Sequence, residues 1–362
     1  MSRALHERNP LVKPLIALSA LGLLFACCGC ALFRDTLPPG QASIRLLGRW
    51  DKRGAPDRLV AVNPGSSLEF WFEGTTCVLH VDRSANKPPL PQLWAQLDGA
   101  WTKHVVDRDR VVLGAPGGEP ARHHAWVVLK SADEHQARWT PPLVASLTLT
   151  GVEVPGGLFV RPPRRRKQVF EAIGDSITEG VLAVRRGKLE EWTEIADSRA
   201  TYAFRTAVAL DAEPRIIGFG AQGTSKGGNG GVPPVGLAYP FVHEGVPADE
   251  PPADIVVIHH GSNDGRAPSI ETLYTKLVRL VRRRNPEAAI FCLVPFTQIH
   301  APSIRGAVDT LRANGDAWVF LVETTGWLKP KTDTTDGVHP NEQGHAKAAA
   351  QLTAVIRRTL GL

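Results

Sequence analysis

The stretch "FEAIGDSITEGV", residues 170–181, decides how the second half of the chain is read. A mostly apolar run stops at Gly174-Asp175-Ser176, where small and polar residues replace it. Ser176 then stands after a strand and before a helix. A serine in that place has two readings: it caps the helix by accepting its free N–H groups, or it is a nucleophile displayed at the end of a strand. This stretch alone leaves both open.

Working outward, the same rhythm continues to the C-terminus. The apolar runs "VFEAI" (169–173), "RIIGF" (215–219), "DIVVIHH" (254–260), "AIFCLV" (289–294) and "AWVFLV" (317–322) alternate with helix-like stretches at about 199–211, 268–285, 302–314 and 341–360. In the second of these, Ile270, Leu273, Leu277, Leu280 and Val281 follow a helical stripe. Strands apolar on both faces, separated by helices, predict a parallel, doubly wound α/β sheet. Ligands of such sheets bind at the carboxyl ends of the strands.

Before this region the period is different. Short runs such as "SLEFWFEG" (67–74), "TCVLHVD" (76–82), "LWAQLDG" (93–99), "HAWVVLK" (124–130) and "ASLTLTGVEV" (145–154) are rich in β-branched and aromatic residues and are punctuated by Gly, Pro, Asn and Asp. They predict an antiparallel β-sandwich of jelly-roll type over residues 42–162. The segment "RPPRRRK" (161–167) marks the boundary, with the α/β domain at 163–362. Six of the nine tryptophans, Trp50, Trp71, Trp94, Trp101, Trp126 and Trp139, fall in the sandwich, where core packing is the first expectation and sugar stacking by an exposed ring the second.

At 362 residues the chain has room for two such domains, and 43% hydrophobic against 22% charged residues is a globular balance. Of the net charge of +6, one cluster, Arg161, Arg164, Arg165, Arg166 and Lys167, is compact; it carries no aromatic interleaving and no nucleic-acid module. A solvated linker is expected there, or a patch for an acidic glycan or membrane surface, and no nucleic-acid partner. Residues 1–30 read as an export segment: Arg3, Arg8 and Lys13 precede "PLIALSALGLLFACCGC", too short to span a membrane comfortably. The word "LFAC" (24–27) resembles a bacterial lipoprotein signal, which makes Cys27 the candidate for lipidation and a membrane-attached lipoprotein, periplasmic or at the cell surface, the expected form. An ordinary cleaved secretion signal and an uncleaved anchor are the alternatives. Residues 31–41 form a linker. Cys77 and Cys292 lie in different predicted domains, so no stapling disulfide is expected.

Four polar words fall at strand ends or in loops on one predicted rim: "GDSITEG" (174–180), "GAQGTSKGG" (220–228), "GSND" (261–264) and "DGVHP" (336–340). Serine needs a base to take its proton, and His339 suits that near neutral pH. Asp336, three residues earlier, can orient one ring nitrogen while the other faces Ser176. An oxyanion formed by attack on an ester needs fixed donors; the candidates are the backbone N–H groups of Ser176 and Gly223 and the side-chain amide of Asn263. Glycine at 223 is expected for close approach to a ligand. His259 and His260 are expected to pack or hydrogen-bond locally, and Asp175 and Asp264 to brace their loops. No residue spacing fits a metal centre, a phosphate loop or a dinucleotide fingerprint, so no metal or cofactor is expected.

These words resemble the SGNH (GDSL-like) hydrolase superfamily, whose four blocks contribute Ser, Gly, Asn and His. The resemblance assigns Ser176 as nucleophile, Asp336 and His339 as acid and base, Asn263 as the block asparagine and Gly223 as the block glycine. Gly220 competes for that last place, because this chain has Gly218-Phe219-Gly220 where family members often carry an asparagine. The resemblance implies a flavodoxin-like sheet with helices on both faces. A β-sandwich joined to such a domain is similar to the family 2 carbohydrate esterases, with matching phrases "LEFWFEGTTCVLHVD", "HHAWVVLKSADEH" and "SRATYAFRTAVALDAE". That similarity implies a serine esterase removing acetyl groups from an acetylated carbohydrate such as xylan or glucomannan. Two alternatives stay open: an SGNH lipase or thioesterase acting on another acyl ester, and a catalytically inactive glycan-binding surface protein.

Overall fold

Alternate residues of the central strands enter two different cores, and this is what places the site. The computed structural model describes residues 36–362 other than 39, 116, 162, 188, 189 and 266–268. The stretch read above as an export segment, with Cys27, lies outside the described residues. Residues 35–362 form one compact unit.

The C-terminal sheet has five parallel strands: β1 (Gln168–Gly174), β2 (Ala212–Gly218), β3 (Ile255–His259), β4 (Ala289–Leu293) and β5 (Val319–Val322), in the order β2-β1-β3-β4-β5. Ile173, Val256, Ile258 and Ile290 enter one core with the helices Ile270–Arg284 and Ala301–Ala313. Their neighbours Ala172, Val257 and Phe291 enter the opposite core with the helices Tyr202–Ala209 and Glu342–Leu360. A period of two therefore serves two apolar faces, as a sheet covered on both sides requires. The order reverses at β1, and the crevice at such a switch point is where doubly wound sheets bind ligands. The word after β1 is GDSITEG.

Two antiparallel six-stranded sheets precede it. One carries Asp51–Gly54, Arg58–Ala61, Leu147–Glu153, Thr76–Val81 and Arg110–Gly114, with Thr36–Leu37 paired to Leu147–Glu153; the other carries Leu158–Phe159, Ser67–Gly74, Ala121–Ser131, Gln92–Leu97 and Ala100–Val105, with Arg45–Leu47 paired to Ser67–Gly74. Between them lies a separate core containing Leu68, Phe70, Phe72, Val127 and Leu129. Trp126 and Val128, on the other face of the same long strand, belong to the core of the α/β sheet together with Phe170, Phe204 and Ile216. The sandwich is thus packed directly onto the α/β domain.

Most of the charge of the boundary segment is solvated as expected, with Arg161, Arg164, Arg165 and Lys167 exposed, but the segment is anchored through its backbone and Arg166. Arg45 donates to the carbonyls of Pro163 and Arg164. The Arg166 guanidinium lies over the Trp126 ring at 5.1 Å and pairs with Glu69 at 3.2 Å. Glu171, the one charge inside the opening stretch's strand, is fully buried but partnered: Arg215 donates to it at 3.1 Å, the Tyr239 hydroxyl at 2.6 Å, and Arg49 of the sandwich stands 3.7 Å away. Burial alone would raise this carboxyl, but Arg49 and Arg215 more than offset it and hold it below the usual range. Cys77 and Cys292 are both free and buried.

Candidate active site

Ser176 is not the helix cap. Asp175 takes that place, accepting the Ile177 N–H on Oδ1 at 3.0 Å, and Ser176 is the first residue of a single helical turn, Ser176–Glu179. Gly180, at φ +98°, ends the turn in the left-handed region, and a β-carbon there would stand 2.4 Å from the Asp197 carbonyl. The Ser176 hydroxyl is left for other chemistry. Its Oγ lies 2.9 Å from His339 Nε2, and His339 Nδ1 lies 2.8 Å from Asp336 Oδ2. Serine, imidazole and carboxylate stand in series, the order that serine nucleophiles require.

The loop that presents His339 is shaped locally. Asp336 Oδ1 accepts the N–H groups of His339 at 2.8 Å and Val338 at 3.0 Å, so one carboxylate both folds the loop and orients the ring. Burial would raise the Asp336 carboxyl, but these hydrogen bonds from His339 and Val338 hold it below the usual carboxylate range, ionised at neutral pH. Thr335 Oγ1 donates to the Leu182 carbonyl at 3.0 Å, tying the loop to the chain just beyond the nucleophile. Asn341 caps the final helix, its Oδ1 accepting the Gly344 N–H at 2.9 Å. Asp336→Asn is expected to lower turnover by about 10³–10⁴-fold by favouring the wrong imidazole tautomer. Steady-state kinetics on a nitrophenyl ester check this, and a variant within threefold of the parent shows that Asp336 is dispensable.

The three expected oxyanion donors differ in their state. No protein acceptor faces the Ser176 N–H among the described residues. The Gly223 N–H donates to the Lys226 carbonyl at 3.1 Å, inside its own loop. Asn263 Nδ2 donates to Asp175 Oδ2 at 3.2 Å and to the Gln222 carbonyl at 3.2 Å, binding together the loops that follow β1, β2 and β3. Gly223 and Asn263 are thus engaged by acceptors that the sequence could not pair with them, while the Ser176 N–H has no protein partner among the described residues.

Glycine at 223 also has a reason inside the fold. A β-carbon there would stand 2.5 Å from Asp264 Oδ1, the carboxylate that accepts Ser225 N–H at 2.6 Å and Ser225 Oγ at 2.8 Å. At the competing position, Gly220, a β-carbon would fall on Glu134 Oε2. Both glycines make room for a buried carboxylate. Asp175 and Asp264 brace loops as expected. Asp175 is fully buried and its carboxyl is raised to about 6, chiefly by desolvation. His259 and His260 are likewise buried, pushed down by desolvation to about 3 and about 4, and so neutral; His259 packs edge-on against Tyr202 at 5.2 Å.

One pair escaped sequence reading. Arg138, from the sandwich, is fully buried and grips Glu179 of the nucleophile's helical turn through Nη1 at 2.8 Å and Nη2 at 3.0 Å. Burial nevertheless raises Glu179 to about 7, with Arg138 opposing and Glu134 adding to the rise. Glu179 stands in the GDSITEG word, but nothing in the sequence points from it to Arg138. Among the described residues no cluster of His, Cys, Asp and Glu could hold a metal ion.

This geometry has known counterparts. Residues 172–347 match the model of the GDSL-like Lipase/Acylhydrolase family. The α/β domain is thus similar to that family. The chain is also similar to Cellulase/esterase CelE of Acetivibrio thermocellus, 27% identical over 320 residues, or 82% of this chain and 37% of the relative. A second relative is the Acetylxylan esterase / glucomannan deacetylase of Cellvibrio japonicus, 26% identical over 59% of this chain and 62% of its own length. The chain thus spans less than two thirds of either relative. Among solved structures, an active-site mutant of a family two carbohydrate esterase from Clostridium thermocellum superposes with a TM-score of 0.75 at 24% identity, covering 89% of this chain and 99% of that one. The sandwich and the GDSL-like domain thus recur together in one fold.

Proposed function

We propose that the chain is a serine esterase that removes O-acetyl groups from a carbohydrate through an acyl-enzyme. The observation that carries this is the continuous series from Asp336 through His339 to Ser176, with contacts of 2.8 and 2.9 Å, at the switch point of a GDSL-like sheet. The Ser176 oxygen attacks the acetyl carbonyl carbon while His339 Nε2 takes its proton. The resulting oxyanion receives the Ser176 N–H, and Asn263 joins by exchanging its bond to the Gln222 carbonyl. Collapse breaks the ester C–O bond, and His339 returns the proton to the departing sugar oxygen. Water, deprotonated by the same imidazole, then attacks the acyl-serine; the bond to Ser176 Oγ breaks, His339 returns the proton to that oxygen, and acetate is released.

The carbohydrate substrate is supported by the two relatives, whose names join esterase activity to cellulase, acetylxylan and glucomannan. The test is acetate release from acetylated xylan, glucomannan, cellobiose and peptidoglycan, with Ser176→Ala as control, beside turnover of acetyl and octanoyl nitrophenyl esters. At least one acetylated glycan is expected to release acetate, and the acetyl ester to be preferred at least tenfold. Preference for octanoyl, with no acetate from any glycan, would make the protein a lipase or thioesterase instead.

We also propose export, with attachment through Cys27, a reading that rests on the apolar stretch before the cysteines. Labelled fatty acid is expected to enter the parent in a bacterial host and to be absent from Cys27→Ala; equal labelling overturns the assignment.

A further inference from the structure

The sandwich hairpin Gln92–Leu97 and Ala100–Val105 faces the segment around Arg199 across a groove of about 920 Å³. Arg199 is the unusual group in it. Its guanidinium carbon lies 3.6 Å from the Trp101 ring centroid and 5.2 Å from that of Trp94. The Trp94 ring is itself held by a bond from Nε1 to Asp197 Oδ2 at 2.8 Å. The guanidinium thus lies over two indoles, with Asp197 near enough to favour its charge but with no hydrogen-bond acceptor or close ion pair of its own among the described residues. Stacking leaves the N–H edge of an arginine as its means of recognition, and that planar fork matches a carboxylate in a two-bond grip.

The charge balance of the groove points the same way. Its lining includes five cationic and four anionic side chains. Every one of those carboxylates is already engaged. Glu194 takes Lys103 and Gln92; Asp197 takes Trp94 and the N–H groups of Arg199 and Ala200; Glu342 takes Arg205; and Glu190 takes the N–H groups of Arg186 and Gly187. The lining therefore carries one net positive charge, with Arg199 among its cations. A second pocket shares Val184, Arg186, Arg205 and Glu342 with this groove and is also lined by Asn341, at the start of the helix that follows His339 and Pro340.

We propose that this groove binds a carboxylate-bearing sugar, a uronic acid unit of the polysaccharide, through the free edge of Arg199. The proposal rests on the carbohydrate reading of the active site, so its test measures binding and not hydrolysis. Calorimetry on the full chain would compare a xylo-oligosaccharide carrying one glucuronic acid unit, the same oligosaccharide with its carboxyl group reduced to the alcohol, and sodium acetate. The acidic oligosaccharide is expected to bind at least tenfold more tightly than its reduced form. Arg199→Gln is expected to erase that preference, and Arg199→Lys, which keeps the charge without the fork, to weaken it; both are expected to hydrolyse nitrophenyl acetate as the parent does. Equal affinity of the parent for the acidic and reduced forms overturns the proposal even if no variant folds, as does a preference that survives in Arg199→Gln. Acetate displacing the acidic oligosaccharide at equal concentration overturns it too, because the groove would then recognise a free carboxylate and no sugar. A protein that binds the uronate but turns over no ester would refute the esterase reading and leave this site standing.

Discussion

Ser176→Ala and His339→Ala are each expected to lower hydrolysis of short-chain nitrophenyl esters by about 10⁵–10⁶-fold while leaving the fold intact. The two groups are 2.9 Å apart and act in one step, since the oxygen becomes a nucleophile only as the ring takes its proton. Their losses should therefore not multiply: the double variant is expected to be no slower than either single one. Ser176 is only 7% exposed, but replacing its hydroxyl by hydrogen breaks no backbone hydrogen bond, because Asp175 and not Ser176 caps the turn. Unfolding midpoints of the variants are expected to match the parent. Turnover within tenfold of the parent in either purified variant would remove the assignment.

The second large effect is structural. Arg138→Ala leaves Glu179 buried beside Glu134 without its cation, and removing one partner of a buried pair costs about 3–5 kcal/mol. For a unit of this size that is a fall in the unfolding midpoint of roughly 4–7 °C. The loss should depend on pH, and the direction follows from the raised carboxyl. In the parent Glu179 titrates at about 7 in the folded protein, above its ordinary 4.5, so the folded state holds the extra proton and stability falls as pH rises between those values. Without Arg138 the folded value climbs further, and the decline extends to higher pH. The gap between variant and parent is expected to be larger at pH 8 than at pH 5, where a protonated Glu179 needs no cation. Arg138→Met combined with Glu179→Gln should recover most of the loss. Thermal unfolding at the two pH values checks this; an equal loss at both would show that Arg138 contributes packing and not charge. Because Glu179 closes the turn that begins at Ser176, the same substitution should also slow turnover, making Arg138 a positioning residue supplied by the sandwich.

Much of this architecture was legible in particular residues. The helices expected at about 268–285 and 302–314 appear as Ile270–Arg284 and Ala301–Ala313, because stripes of apolar side chains at helical spacing need only local contacts to declare themselves. The strands Asp51–Gly54 and Ala100–Val105 were not: both are polar and largely exposed, so they carry little alternation and are recruited by pairing with Arg58–Ala61 and Gln92–Leu97. The arginine cluster was legible only in part: four of its five charges are solvated, as the composition suggests, but the Arg166 guanidinium lies over Trp126 and pairs with Glu69, nearly a hundred residues away.

The sequence by itself determined that Ser176, Asn263 and the loops around them share one rim. Apolar strands alternating with helices make a parallel sheet, and parallel strands all end on the same side. Only the tertiary structure decided which atoms meet there. It gave the cap to Asp175 and left the Ser176 hydroxyl to His339; it bound the Gly223 and Asn263 donors to internal acceptors; and it filled the space beside Gly220 and Gly223 with the carboxylates of Glu134 and Asp264. Strand direction follows from a local period, which a chain carries along its length. Hydrogen-bond choice turns on tenths of an ångström between groups brought together from distant segments, which no period encodes.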